Sequence, residues 1–241
     1  MSEAKQQTAV VTGAGSGVGR AVAVALAGRG WTVAVLGRRK EPLDETASLA
    51  KGGRVVPISC DVGDAEAVKA MAEQVRSELG DPSVLVNAAG TNLPERELTR
   101  LTTDAWRDLL SANLDGAFHT VHAFLPGMRA AGRGTIVNVN SVAGLRGNSG
   151  SGAAYCASKF GMTGLTEAIN AEENAHGIRA CNVCPGDIDT PLLQKRPSVP
   201  DADRRTRMLQ PEDVAACVLL AIDLPDRAVV DELVVRPRVS T

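Results

Sequence analysis

The chain reads as an α/β protein: one doubly wound, mostly parallel seven-stranded sheet in a single domain spanning residues 1–241. Three observations predict it. Apolar runs rich in Val, Ile and Ala alternate with amphipathic stretches from end to end, the pattern of repeated βαβ units. The early runs are continuously apolar, as expected of parallel strands covered on both faces. A glycine-rich turn joins the first strand to the first helix.

In chain order, strands are predicted at 9–12, 32–36, 54–60, 84–87, 135–140, 179–184 and 232–235. Helical patterns fill the intervals at 17–30, 41–50, 65–79, 103–130, 153–174 and 211–220. No repeat, low-complexity tract or composition shift marks a second domain. One stretch breaks the rhythm: residues 187–209 follow the Pro185-Gly186 turn and are rich in Pro, Asp and Arg. A connection this long in a compact domain is usually functional, and this one begins at a strand's carboxyl end. It is expected to be a small substrate lid, with a plain surface excursion as the alternative.

Composition narrows the function classes. A net charge of −2 supplies no basic field for nucleic acid or an anionic membrane, and 2% aromatics leave no stacking platforms for bases. No apolar run approaches the roughly 18 residues of a membrane span, and the N-terminal Met-Ser-Glu-Ala-Lys-Gln-Gln is polar, so a cytoplasmic location is expected. Cys181 and Cys184 form a Cys-x-x-Cys, but i and i+3 on a strand face opposite ways, so these read as ordinary strand cysteines. His119 and His122 have only Asp115 nearby as a further ligand. No metal site is expected.

The glycine loop runs Thr12-Gly13-Ala14-Gly15-Ser16-Gly17-Val18-Gly19. The generic Gly-x-Gly-x-x-Gly does not fit, since Val18 occupies its last position. Thr-Gly-x-x-x-Gly-x-Gly does, at Thr12, Gly13, Gly17 and Gly19. Glycines there allow a tight turn and a close approach of pyrophosphate to the helix N-terminus, as in a Rossmann-type dinucleotide site. At the end of the second strand a carboxylate would normally hold a ribose 2′-hydroxyl. This chain has Gly37-Arg38-Arg39-Lys40 instead. Guanidinium groups suit a 2′-phosphate, so NADP is favoured over NAD, with Arg38 leading and Arg39 in support.

Tyr155 and Lys159 stand four apart, about 40° around a helix and so on one face. Tyr155 is the only tyrosine in the chain, and Ser141 ends the fifth apolar run. Phenol, ammonium and hydroxyl together are what proton transfer to a carbonyl oxygen requires.

Taken together, these motifs resemble the short-chain dehydrogenase/reductase family in its compact single-domain branch, over essentially the whole chain. The resemblance rests on the glycine motif, Asp61-Val62, Asn87-Ala88-Ala89-Gly90, Asn113, Ser141, Tyr155-x-x-x-Lys159 and Pro185-Gly186 through Thr190. It implies an NADP(H)-dependent oxidoreductase that interconverts a ketone or aldehyde and an alcohol. Tyr155 would be the general acid–base, Ser141 would orient the substrate oxygen, Lys159 would bind the nicotinamide ribose, and Asn113 would complete a proton relay through water. Gly13, Ser16, Gly17, Val18 and Gly19 would cradle the pyrophosphate, Asp61 and Val62 the adenine. Asn87, Ala88, Ala89 and Gly90 would line the central portion, and Pro185, Gly186, Ile188 and Thr190 the carboxamide end. Substrate contacts are expected from Ser141, Val142, Tyr155 and Asp187. The resemblance also implies a homodimer or homotetramer paired through the helices at 103–130 and 153–174. The last strand departs from the Gly-Gly pattern of many members. An epimerase or dehydratase on the same scaffold, and a non-catalytic NADP-sensing protein, are the alternatives.

Overall fold

The computed structural model describes residues 7–239; the polar start of the chain and its last two residues lie outside them. Seven strands, β1 Thr8–Thr12, β2 Thr32–Gly37, β3 Arg54–Ser59, β4 Val84–Asn87, β5 Gly134–Val139, β6 Ile178–Pro185 and β7 Glu232–Val235, form one sheet in the order β3-β2-β1-β4-β5-β6-β7. All six pairings are parallel. The order reverses direction between β1 and β4, and an open α/β sheet forms its ligand crevice at that switch point.

Side chains alternate across the sheet, so one strand feeds two cores. Ala9 and Val11 of β1 join a layer with Val22, Leu26, Val214 and Val218, under α1 (Gly17–Gly28) and α8 (Pro211–Asp223). Val10 points the other way, to Val68, Met71, Phe124 and Ile169, under α3 (Ala65–Leu79), α5 (Gly116–Ala131) and α6 (Ala153–Glu173). Helix α2 (Lys40–Leu49) contributes Leu43 to the first layer. No described helix is long and apolar enough to cross a membrane.

Two expectations needed correction. The helix expected over 103–130 is α4 (Thr103–Leu110), then a π-helical turn at Ser111–Asp115, then α5. The Gly116 amide reaches back to the Ser111 carbonyl, and the widened turn turns Asn113 wholly inward. Apolar spacing does not reveal one extra residue in a turn. The stretch 187–209 is not bare loop either. It holds a 3₁₀ turn at Pro191–Lys195 and the short α7 (Ala202–Thr206), and its ends meet in an Ile188–Leu209 bridge. Elsewhere the boundaries differ by up to three residues, as helix and strand ends do.

Candidate active site

A cleft of about 1170 Å³ runs along the carboxyl edge of the sheet, lined from the ends of β1 to β6 and from the 187–209 segment. Its floor at one end is the glycine loop. Gly13 and Gly17 have φ of +64° and +53°, and a Cβ on Gly13 would stand 2.6 Å from the Ala88 carbonyl oxygen. A Cβ on Gly19 would meet the Gly13 carbonyl at the same distance, so α1 could not pack this close to β1. Thr12 locks the arrangement: its Oγ1 accepts the N–H groups of Ala88 and Ala89, both at 3.0 Å.

The N-terminus of α1 is left open. Ser16 occupies the cap position without a side-chain capping bond, and no acidic residue lies in the first turn. The unpaired N–H groups and the positive end of the helix dipole therefore face the cleft, which is the chemistry an anionic pyrophosphate requires. Beyond the loop, Arg38 is exposed at the end of β2 and makes no ion pair among the described residues. Its neighbour Arg39 is the cap residue of α2, and both line the cleft. An open helix end beside free guanidinium charge fits a phosphorylated dinucleotide. Asp61, Val62, Ala88, Ala89, Gly90, Pro185, Gly186, Ile188 and Thr190 lie along the same wall.

At the far end stand Ser141, Tyr155 and Lys159. Lys159 is 3% exposed, donates to the Val139 carbonyl at 2.9 Å, and has its nitrogen 5.8 Å from the Tyr155 ring centre. Burial pushes its pKa down to about 8. Tyr155 is pushed above the ordinary phenol value by desolvation. The Ser141 hydroxyl nearby opposes that, and the positive charges of Arg196 and Arg96 act in the same downward sense. The Ser141 oxygen accepts the Ala143 amide at 3.1 Å, which uses one of its two lone pairs and leaves its proton available to donate. Val142 and Asp187 line the cleft beside them.

Two of the sequence-derived residues sit behind the wall rather than on it. Asn113 is fully buried: its Oδ1 accepts the Thr91 amide at 2.7 Å, and its Nδ2 donates to the Thr91 carbonyl and to Ser158 Oγ. Asn87, likewise buried, donates to Asn138 and accepts from Thr120. From Asn138 a polar chain continues through Thr166 and Asn182 to Asn140 and Thr163, tying β4, β5 and β6 to α6. Sequence reading missed this ladder, whose members are scattered singly along the chain. It also missed Arg96 and Lys195, both on the cleft wall.

Cys181 packs in the α1/α8 layer, whereas Cys184 lies close enough to Lys159 to feel its charge. Burial pushes both thiols up to about 12, which leaves them protonated and unreactive. His119 Nδ1 lies 2.9 Å from the Val62 carbonyl. Among the described residues no group of three or more His, Cys, Asp or Glu is arranged to hold a metal.

Comparison with known proteins agrees with this geometry. The profile of the short chain dehydrogenase family matches residues 7–200. A human (3R)-3-hydroxyacyl-CoA dehydrogenase is 39% identical, over 87% of this chain and 86% of its own. A 3beta-hydroxysteroid dehydrogenase of Mediterraneibacter gnavus is 37% identical, over 87% of this chain and 75% of its own. Among solved structures, a metagenomic short-chain oxidoreductase in complex with NADP superposes with a TM-score of 0.84 at 33% identity, covering 99% of this chain and all of that one. An alcohol dehydrogenase of Thermococcus sibiricus complexed with 5-hydroxy-NADP gives 0.86 at 28% identity, covering 98% of each chain. The chain belongs to the short-chain dehydrogenase family and is an oxidoreductase acting on CH–OH groups.

Proposed function

We propose that this chain interconverts a ketone or aldehyde and an alcohol with NADP(H), using Tyr155 as general acid–base. The observation that carries the reading is the wall on which Tyr155, Ser141 and Lys159 meet, in the same cleft as the open N-terminus of α1. Arg38 supports NADP over NAD, and two similar solved structures hold NADP or its 5-hydroxy derivative. When bound, NADPH supplies a hydride to the carbonyl carbon.

The protein's own part is proton transfer and positioning. A phenolate at neutral pH costs roughly 4 kcal/mol in water, and the dry cleft raises that cost. The Ser141 hydroxyl and the positive charges of Arg196 and Arg96 lower it. In reduction, Tyr155 gives its proton to the substrate oxygen while Ser141 donates to the same oxygen as negative charge develops. Lys159 spends one N–H on the Val139 carbonyl and one on the Met162 sulfur, and keeps the third for the nicotinamide ribose hydroxyls. The side chain of Asn113 spends both Nδ2 hydrogens and one Oδ1 lone pair on Thr91 and Ser158, so in this reading it frames those residues and any relay to water uses its remaining acceptor capacity. Asn87 supports the wall from behind in the same way.

Residues 187–209 serve in this reading as the lid. The Arg196–Asp187 and Arg205–Asp189 pairs hold it at its base. We also read α5 and α6 as the faces that pair two copies, because Phe118 and Phe160 are half exposed on them. Mixing the protein with NADPH and a panel of ketones and aldehydes tests the function. Loss of NADPH absorbance with at least one of them is expected; saturable NADPH binding with no oxidation across the panel contradicts it.

A further inference from the structure

The substrate end of the cleft carries more positive charge than the chain around it. Arg96, Lys195, Arg196 and Arg204 line it, against Asp187 as the carboxylate among them. Asp187 pairs with both Arg196 and Arg204, and Arg96 and Lys195 add two further positive charges beside them in a chain whose net charge is −2. The lid's other pairs, Arg205–Asp189 and Arg207–Asp203, are balanced one to one.

Two of these cations have no carboxylate within ion-pair distance among the described residues. Arg96 is 8% exposed, and its guanidinium donates to the carbonyls of Leu93, Gly150 and Lys195, drawn from three separate segments around the cleft. Its side chain packs against Gly152, where a Cβ would stand 2.6 Å from Arg96 Cβ. Gly152 is the cap residue of α6, three residues before Tyr155. The guanidinium is thus fixed beside the catalytic helix, with two of its five N–H groups beyond those three bonds. Lys195 extends from the lid and donates to Thr91 Oγ1 at 2.6 Å. Arg96 is buried with no counter-ion, which is costly, and an anion brought in by the ligand removes that cost; Lys195 is exposed and adds its charge from the lid.

We infer that the substrate carries an anionic group, a carboxylate or phosphate, beside its carbonyl, and that Arg96 and Lys195 are the residues that recognise it. The inference rests on the oxidoreductase reading above and adds the substrate class. It places the charged group on the lid side of Tyr155, away from Arg38 and the glycine loop. Closing the lid over it would bring Lys195 and Arg196 to the ligand and shut out water, which strengthens the charge pairing.

The test is kcat/KM with NADPH for matched pairs: oxo acids of increasing chain length against their methyl esters, and dihydroxyacetone phosphate against dihydroxyacetone. The charged member is expected to win by at least tenfold in one set of pairs, which also tells carboxylate from phosphate. Added salt should shrink that advantage. In Lys195→Gln, which keeps the main-chain carbonyl that Arg96 uses, the charged-to-neutral ratio should fall at least fivefold. Arg96→Lys, chosen to keep a cation where Arg96→Gln could fail to fold, should also lower it. Neutral members matching or beating charged ones in every pair would overturn the inference, as would a ratio unchanged in Lys195→Gln. NADPH oxidation by neutral ketones alone would leave the oxidoreductase reading standing. No oxidation with any carbonyl would overturn both.

Discussion

The ammonium of Lys159 is held by the carbonyl oxygen of Val139 at 2.9 Å, which fixes it between the end of β5 and the ring of Tyr155. This one bond joins the strand that delivers Ser141 to the helix that carries Tyr155.

Lys159→Met should therefore separate stability from chemistry. A buried cation is expensive, and an apolar chain of similar length should stabilise the fold by roughly 1–3 kcal/mol. The folded pKa, about 8, lies below the unfolded value of 10.5, so between these the unfolded chain binds more protons. The wild type should gain stability as pH rises through that window, and Lys159→Met should lose this slope. Denaturant unfolding from pH 7 to pH 10.5 measures both, while turnover should fall by at least ~100-fold.

Arg38→Asp should reverse cofactor preference. The substitution removes a cation suited to a 2′-phosphate and supplies a carboxylate suited to a ribose 2′-hydroxyl. The ratio of kcat/KM for NADPH to that for NADH should drop by about 100-fold or more, a difference of about 3 kcal/mol.

Asn113→Ala should be a stability mutant before it is a catalytic one. It orphans both the amide and the carbonyl of Thr91 in a partly buried loop, at a cost of about 2–4 kcal/mol. A lower Tm should accompany a modest loss of turnover. An unchanged Tm would show that the π turn does not depend on this side chain.

Ser141→Ala removes the hydroxyl that holds the phenol's pKa down against burial. Alcohol oxidation requires the phenolate, so the acidic limb of its pH–rate profile should move to higher pH. Reduction, which uses the phenol, should lose rate without a new acidic limb. A limb that stays in place would dissociate Ser141 from Tyr155.

Much of this was legible in the sequence because it is local. The strand runs, the glycine spacing of Gly13, Gly17 and Gly19, and the i, i+4 pair of Tyr155 and Lys159 depend on neighbours a few residues apart. The π turn at Ser111–Asp115 was not legible, since the Asn113 it turns inward bonds to Thr91, 22 residues away. The same holds for Arg96, whose guanidinium reaches the carbonyls of Gly150 and Lys195, 54 and 99 residues distant. In sequence it is one arginine in a charged loop; only the fold places it beside the cap of α6.

The most direct test of the account is Tyr155→Phe. The ring keeps its packing and loses only the oxygen that would carry the proton. Turnover of any carbonyl substrate found for the wild type should fall at least ~1000-fold, while NADPH affinity, read by fluorescence titration, stays within about threefold. Near-wild-type turnover in that variant would contradict the assignment of Tyr155 as the general acid–base.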